Sequence, residues 1–234
     1  MRDWTSLYQQ KPRPVGGGEF KRGWLAHYDG HMHGGGMFVM MLVDPSSGKR
    51  KVKGGRDSDY TTIWIVGLGQ DENYYVLDVV RDRLNLTART EAVFRLHRKW
   101  KPGQVRYEQY GMQADIEHIK SQMGLKKYRF VITPVGGQQS KEDRIRRLVP
   151  IFQTGRMWMP AEMVYTPADG EPRDLIKDFI EEEYLAFPVG RHDDMLDALA
   201  RVAEPTLDTP WPSNQHDFGA PEAAWGTLDE TTGY

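Results

Sequence analysis

Three aspartates, Asp193, Asp194 and Asp197, stand within five residues in PVGRHDDMLDALARV, residues 188–202. At the helical period they share one face, while Leu196, Leu199, Ala200, Val202 and Ala203 occupy the opposite, core-facing side. Acids in a first turn complement the helix macrodipole, and Asp193 is placed to cap it, which accounts for one or two of the three. Three on one face repel one another unless a metal ion or an arginine sits among them. Two more acids close apolar runs: Asp44 ends MFVMMLVD and Glu108 ends QVRYE. Each has an ordinary use, Asp44 as the opener of a Pro-Ser-Ser-Gly turn and Glu108 as a strand-end acid paired with an arginine. Together they ask for more. If their strands are neighbours, their carboxyl ends meet, and a terminal helix can add Asp194. Carboxylates on rigid elements supply oxygen ligands suited to Mg²⁺ or Mn²⁺. Three or four can hold two such ions roughly 4 Å apart, one activating water and one stabilising the leaving oxygen in phosphodiester cleavage.

The elements that must position these acids are legible as periodicity. MFVMMLVD, DYTTIWIVGLG and NYYVLDVVRDR are β-branched and aromatic runs joined by short connections, which predicts an antiparallel meander. TARTEAVFRLHRKW is a helix stopped by Pro102, QVRYE a strand, MQADIEHIKSQM an amphipathic helix presenting Met112, Ile116, Ile119 and Met123, and YRFVIT a strand. EDRIRRLVPIFQTG carries helical spacing interrupted by Pro150, PRDLIKDFIEEEYL is a further helix, and the aspartate helix closes the domain. A meander followed by β-α units predicts an α/β fold: a mixed sheet with helices on both faces. Residues 1–36, broken by PRPVGGGEF and DGHMHGGG, read as a linker or arm; 37–204 form the domain; 205–234 read as a flexible acidic tail. His27, Asp29, His31 and His33 lie in a glycine-flanked stretch without fixed geometry and do not make a metal site.

Composition narrows the classes. The 234 residues contain no cysteine, which excludes disulfides and thiolate zinc sites. No apolar run approaches the ~18 residues of a membrane span, and no signal-peptide stretch is visible, so a cytoplasmic protein is expected. The net charge of −2 is unevenly spread. Residues 126–156 hold eight basic residues against Glu142 and Asp143, whereas 204–234 hold six acids and no lysine or arginine. The basic stripe, with Lys141, Arg144, Arg146 and Arg147 at one helix start, is either a nucleic-acid footprint or a solvated helix face.

The ordered set LVDPSSG, DYTTIWIVGLG, YYVLDVVRDR, VRYEQYGMQ, SKEDRIRRLVPIFQTGRMWMP and FPVGRHDDMLDALA resembles the nuclease domain of phage large terminases, over about residues 37–203. LYQQKPRPVGGGEFKRGWLAHY also resembles the segment that joins the terminase motor to its nuclease. The resemblance implies a ribonuclease H-like fold, with Asp44, Glu108 and Asp194 as catalytic, metal-binding acids and Asp193 and Asp197 as supporting ones. It implies two Mg²⁺ or Mn²⁺ ions, and phosphate contacts from Lys141 and Arg144, which extend to Arg146 and Arg147 along the stripe. The implied activity is an endonuclease that cuts concatemeric viral double-stranded DNA during packaging with little sequence specificity, in the cytoplasm of a phage-infected or lysogenic bacterium. Its implied partners are a separate packaging ATPase, a small terminase subunit and a portal. The sequence has no G-x-x-x-x-G-K-[ST] phosphate loop, so no ATPase activity is expected from it. Two other readings stand beside this one: a resolvase- or transposase-like nuclease of the same fold, and a non-catalytic DNA-binding packaging component.

Overall fold

The computed structural model describes residues 18–30, 32, 34–45, 60–109, 113–137, 139–167, 170–205, 207–208 and 211–212. Residues 1–17 of the expected arm, His31, His33, Met112 and residues 213–234 of the expected tail lie outside this set.

The three β-branched runs form the meander because each is buried on both sides. Strand β2 (Phe38–Asp44) pairs antiparallel with β3 (Thr61–Leu68), setting Asp44 opposite Thr62. β3 pairs antiparallel with β4 (Tyr74–Asp82). β5 (Gln104–Glu108) lies parallel to β2 with Tyr107 opposite Val43, so the two strands end side by side, and β6 (Ile132–Val135) continues the sheet in parallel. At the other edge β7 (Met157–Pro160) runs parallel to β4, and β1 (Ala26–Tyr28) parallel to β7. The sheet has seven strands in the order β1-β7-β4-β3-β2-β5-β6, and Val164–Tyr165 and Arg173–Asp174 pair in a small separate ladder.

Strand alternation divides the core. Val39, Met41 and Val43 face helices α1 (Leu86–Trp100) and α2 (Gln113–Leu125), packing on Val93, Leu96 and Ile119. Met40 and Leu42, with Trp64 and Val66, face the helices of the second half. These are α3 (Lys141–Arg146), α4 (Leu148–Gln153), α5 (Leu175–Asp178) and α6 (Asp194–Ala200); a π-helical turn, Phe179–Tyr184, continues α5, and a 3₁₀ turn, Arg201–Ala203, continues α6. A buried Arg89–Asp115 ion pair, joined by the Tyr107 hydroxyl, ties α1, α2 and β5 together. This is the mixed sheet with helices on both faces that the sequence predicts.

Several details differ from the sequence expectation. The helix over EDRIRRLVPIFQTG breaks at Arg147, ahead of Pro150, because a proline there cannot donate to the Arg146 carbonyl. The YRFVIT strand begins only at Ile132. Within the segment read as an arm, Phe20 is buried in the core and Ala26–Tyr28 extends the sheet. Near the start of the expected tail, Trp211 packs edge-on against Tyr74 with ring centroids 4.9 Å apart.

Candidate metal centre

Asp44 and Glu108 stand at the adjoining ends of β2 and β5, on the sheet face that also carries Met40, Leu42 and Arg106. Helix α6 crosses that face with Met195, Leu196, Leu199 and Ala200 fully buried, and the Trp64 indole donates to the Met195 carbonyl at 2.9 Å. So seated, α6 delivers Asp197: one carboxylate oxygen from each of Asp44, Glu108 and Asp197 lies within 4.8 Å of the other two. Asp194, the third ligand expected from the sequence, opens α6 one turn earlier, 3.7 Å from Lys141 Nζ and close enough for its charge to act on Asp44. Asp193 makes no side-chain capping bond and instead pairs with Lys141 at 2.8 Å.

The four cations expected at the α3 start turn toward these and other acids. Lys141 reaches Asp197 at 3.5 Å as well as Asp193 and Asp194. Arg144 is buried and grips both oxygens of Asp197, at 2.5 and 2.7 Å. Arg146 pairs with Glu19, Glu142 and Asp143, and Arg147 lies 3.8 Å from Glu204. The four residues expected to contact DNA are thus engaged with carboxylates in this structure.

Three residues that sequence reasoning did not single out hold the acids in place. Glu183, fully buried at the end of the π-helical turn, accepts hydrogen bonds from the Met195 and Leu196 backbone N–H groups at 2.8 and 3.0 Å, so it caps α6 from outside. At the other end, the fully buried Arg106 donates to the Arg201 and Val202 carbonyls at 2.6 and 2.9 Å. A carboxyl acceptor at the amino end and a guanidinium donor at the carboxyl end thus satisfy backbone groups that the helix leaves unpaired. Arg201 then pairs with Glu108 at 2.9 Å and Glu204 at 2.8 Å. One signal for Arg106 was available, an arginine two residues before Glu108 on the same strand face; Glu183 is indistinguishable by sequence from Glu181 and Glu182.

The electrostatics follow from this crowding. Burial, then the charges of Glu108 and Asp197, push the Asp44 carboxyl well above the usual carboxylate range. Burial pushes Glu183 up to about 8 against the opposing pull of Arg81. Burial also works against charge on Lys141, yet Asp197 and Asp193 raise it above the ordinary lysine value. Glu108 Oε2 is buried with no hydrogen-bond partner among the described residues. An orphaned buried carboxylate oxygen is costly unless a cation takes it. Oxygen donors from three elements, one of them orphaned, fit a hard divalent cation.

Comparison with known proteins gives a consistent set of relatives. The family model described as terminase RNase H-like domain matches residues 41–203. The large terminase nuclease from thermophilic phage G20c is 16% identical, with a TM-score of 0.49 over 79% of this chain and 96% of that one. The magnesium-bound form of that nuclease gives 16% identity and a TM-score of 0.48, covering 80% and 96% of the two chains. The human cytomegalovirus terminase nuclease domain, manganese-soaked with an inhibitor bound, is 14% identical, with a TM-score of 0.47 over 74% and 83%. Among curated protein sequences none matches.

Proposed function

Because the chain belongs to the terminase RNase H-like domain family, we propose that it is a metal-dependent endonuclease cutting viral double-stranded DNA during genome packaging. The observation that carries this reading is the convergence of Asp44, Glu108 and Asp197, from two strand ends and a buried helix, to within 4.8 Å. Asp44 and Glu108 are the strand-borne ligands, Asp197 completes the tightest set, and Asp194 with Asp193 extends it along α6 toward a second position. Bound there, two Mg²⁺ or Mn²⁺ ions would supply a water of lowered pKa and charge stabilisation for the departing oxygen.

The protein's own residues set the conditions for that chemistry. Hydrolysis adds water across one phosphodiester: a hydroxyl oxygen bonds to phosphorus, the bond to one sugar oxygen breaks, and a proton ends on that oxygen. Asp44, with its raised affinity for a proton and its place at a rigid strand end, fixes one side of the site. Arg144 orients the Asp197 carboxylate, and Arg201 fixes one oxygen of Glu108 while leaving the other for a ligand. Glu183 and Arg106 keep α6 from sliding or rotating. Lys141 and Arg146, at 38% and 40% of their side-chain surface more exposed than Arg144 and Arg147, are the nearest donors for DNA phosphates. Phosphate contacts position DNA without reading its sequence, which accords with cutting of low specificity. The partners this reading implies are the motor, small subunit and portal of a packaging machine, met in the host cytoplasm.

Supercoiled plasmid incubated with the chain in Mg²⁺, Mn²⁺, Ca²⁺ or EDTA tests the reading. Nicking and linearisation are expected with Mg²⁺ or Mn²⁺ and not with EDTA. DNA binding without cutting under every condition would move the protein to the non-catalytic packaging class.

A further inference from the structure

Resting on the metal-dependent reading above, we infer that Lys141 is a resident counter-ion that keeps the second cation position closed until DNA arrives. Its ammonium lies 2.8 Å from Asp193 Oδ1, 3.5 Å from Asp197 Oδ2 and 3.7 Å from Asp194 Oδ1, so one charge answers three carboxylates at the edge of the Asp44–Glu108–Asp197 cluster. Charge bookkeeping points the same way. Five acids meet here, Asp44, Glu108, Asp193, Asp194 and Asp197, and three internal cations answer them, Lys141, Arg144 and Arg201, while Arg147 offsets Glu204, which also holds Arg201. Two negative charges remain, which one divalent ion balances. A second ion would leave a double positive charge uncompensated beside the Lys141 ammonium, and that repulsion disfavours it.

One of the three cations therefore has to leave before a second ion enters, and burial identifies which. The side chains of Arg144 and Arg201 are only 8% and 3% exposed, and each is held by short carboxylate contacts. Lys141 is 38% exposed on a flexible stem at the first position of α3. A DNA phosphate offers it an equivalent partner outside the cluster. With Lys141 turned to a neighbouring phosphate, five carboxylates and the scissile phosphate face two arginines and two divalent ions, and the charges again cancel. The lock thus couples full metal loading to DNA, so a chain without substrate carries an incomplete metal set.

Manganese titration followed by electron paramagnetic resonance of the free ion, on the whole chain without DNA, tests this. Wild type should bind one Mn²⁺ per chain tightly. Lys141→Met should bind two, with the second roughly tenfold or more tighter than in wild type, since a like charge about 4 Å away has gone. Lys141→Arg should behave as wild type. Saturating duplex DNA should raise the wild-type count toward two and leave Lys141→Met unchanged. Equal isotherms for wild type and Lys141→Met overturn the lock. If Lys141→Met fails to fold by circular dichroism, the wild-type arm decides, and a count unmoved by duplex overturns it. A second ion gained in Lys141→Met by a chain that cuts no DNA would retire the nuclease reading and leave the lock standing.

Discussion

At the scale of single residues, Asp194 and Asp197 illustrate how much one carboxylate depends on what lies opposite it. Helical spacing puts both on the same face, and nothing in the sequence chooses between them. The choice comes from Arg144 and Lys141, which lie more than forty residues away in the chain and orient Asp197 toward Asp44 and Glu108. Asn substitutions should therefore diverge. Asp194→Asn should fold with unchanged or higher metal-free stability and lose cutting by orders of magnitude, because one of several repelling acids has gone. Asp197→Asn should also be inactive, and it should lose about 3–5 kcal/mol of stability, because Arg144 is left buried without its counter-charge. Thermal midpoints and plasmid nicking on the same samples separate the two. Asp44 supplies a pH test. Its folded-state pKa is raised, first by burial and then by Glu108 and Asp197, so its contribution to stability is present while it is protonated and fades as pH rises through the raised value. Asp44→Asn removes that loss. Its stability advantage over wild type in metal-free urea unfolding should therefore grow as pH rises above the ordinary carboxylate range, about 4, toward the raised folded-state value.

At the scale of elements, the site depends on α6 being held at both ends. The strands carrying Asp44 and Glu108 were legible as apolar runs closed by an acid, whereas their parallel adjacency, a condition in the sequence reading, is supplied by the structure. The grip on α6 was not legible. Glu183 arrives on a π-helical turn inside what reads as one amphipathic helix, and Arg106 acts across roughly ninety-five residues of sequence. Strands β1 and β7 were missed for a related reason: three or four residues carry too little periodicity, and their pairing is long-range. Replacing Glu183 tests the grip. Glu183→Ala uncaps the Met195 and Leu196 N–H groups in a buried setting and leaves Arg81 without its nearest buried carboxylate, which should cost about 2–4 kcal/mol. Glu183→Gln keeps an acceptor and should recover most of the helix position, so Mn²⁺ affinity should fall in the alanine variant and largely return in the glutamine one. The pH signature is specific. With its pKa raised to about 8 by burial, Glu183 contributes stability that is complete below its unfolded pKa and is lost as pH rises through about 8. That slope should be absent from Glu183→Gln in chemical denaturation across the same range.

At the scale of the whole molecule, the two-sided core fixes a rigid frame and concentrates unsatisfied charge at one end of the sheet. The near-neutral net charge conceals this, since Lys141 and Arg144 of the basic stripe fold onto the acids of the site. A folded chain that stores repulsion among carboxylates should gain stability when a divalent ion arrives. At about a hundredfold excess over its dissociation constant, Mn²⁺ should add roughly 2.7 kcal/mol, read as an upward shift in thermal midpoint, and EDTA should reverse it.

The most direct test of the central claim is supercoiled-plasmid cleavage by wild type and Asp44→Asn side by side, in Mn²⁺ and then in EDTA. Cutting by wild type in Mn²⁺, its abolition by EDTA, and a loss of several orders of magnitude in a folded Asp44→Asn are the expected results. Cutting that persists in EDTA, or an Asp44→Asn chain that cuts like wild type, would contradict the account.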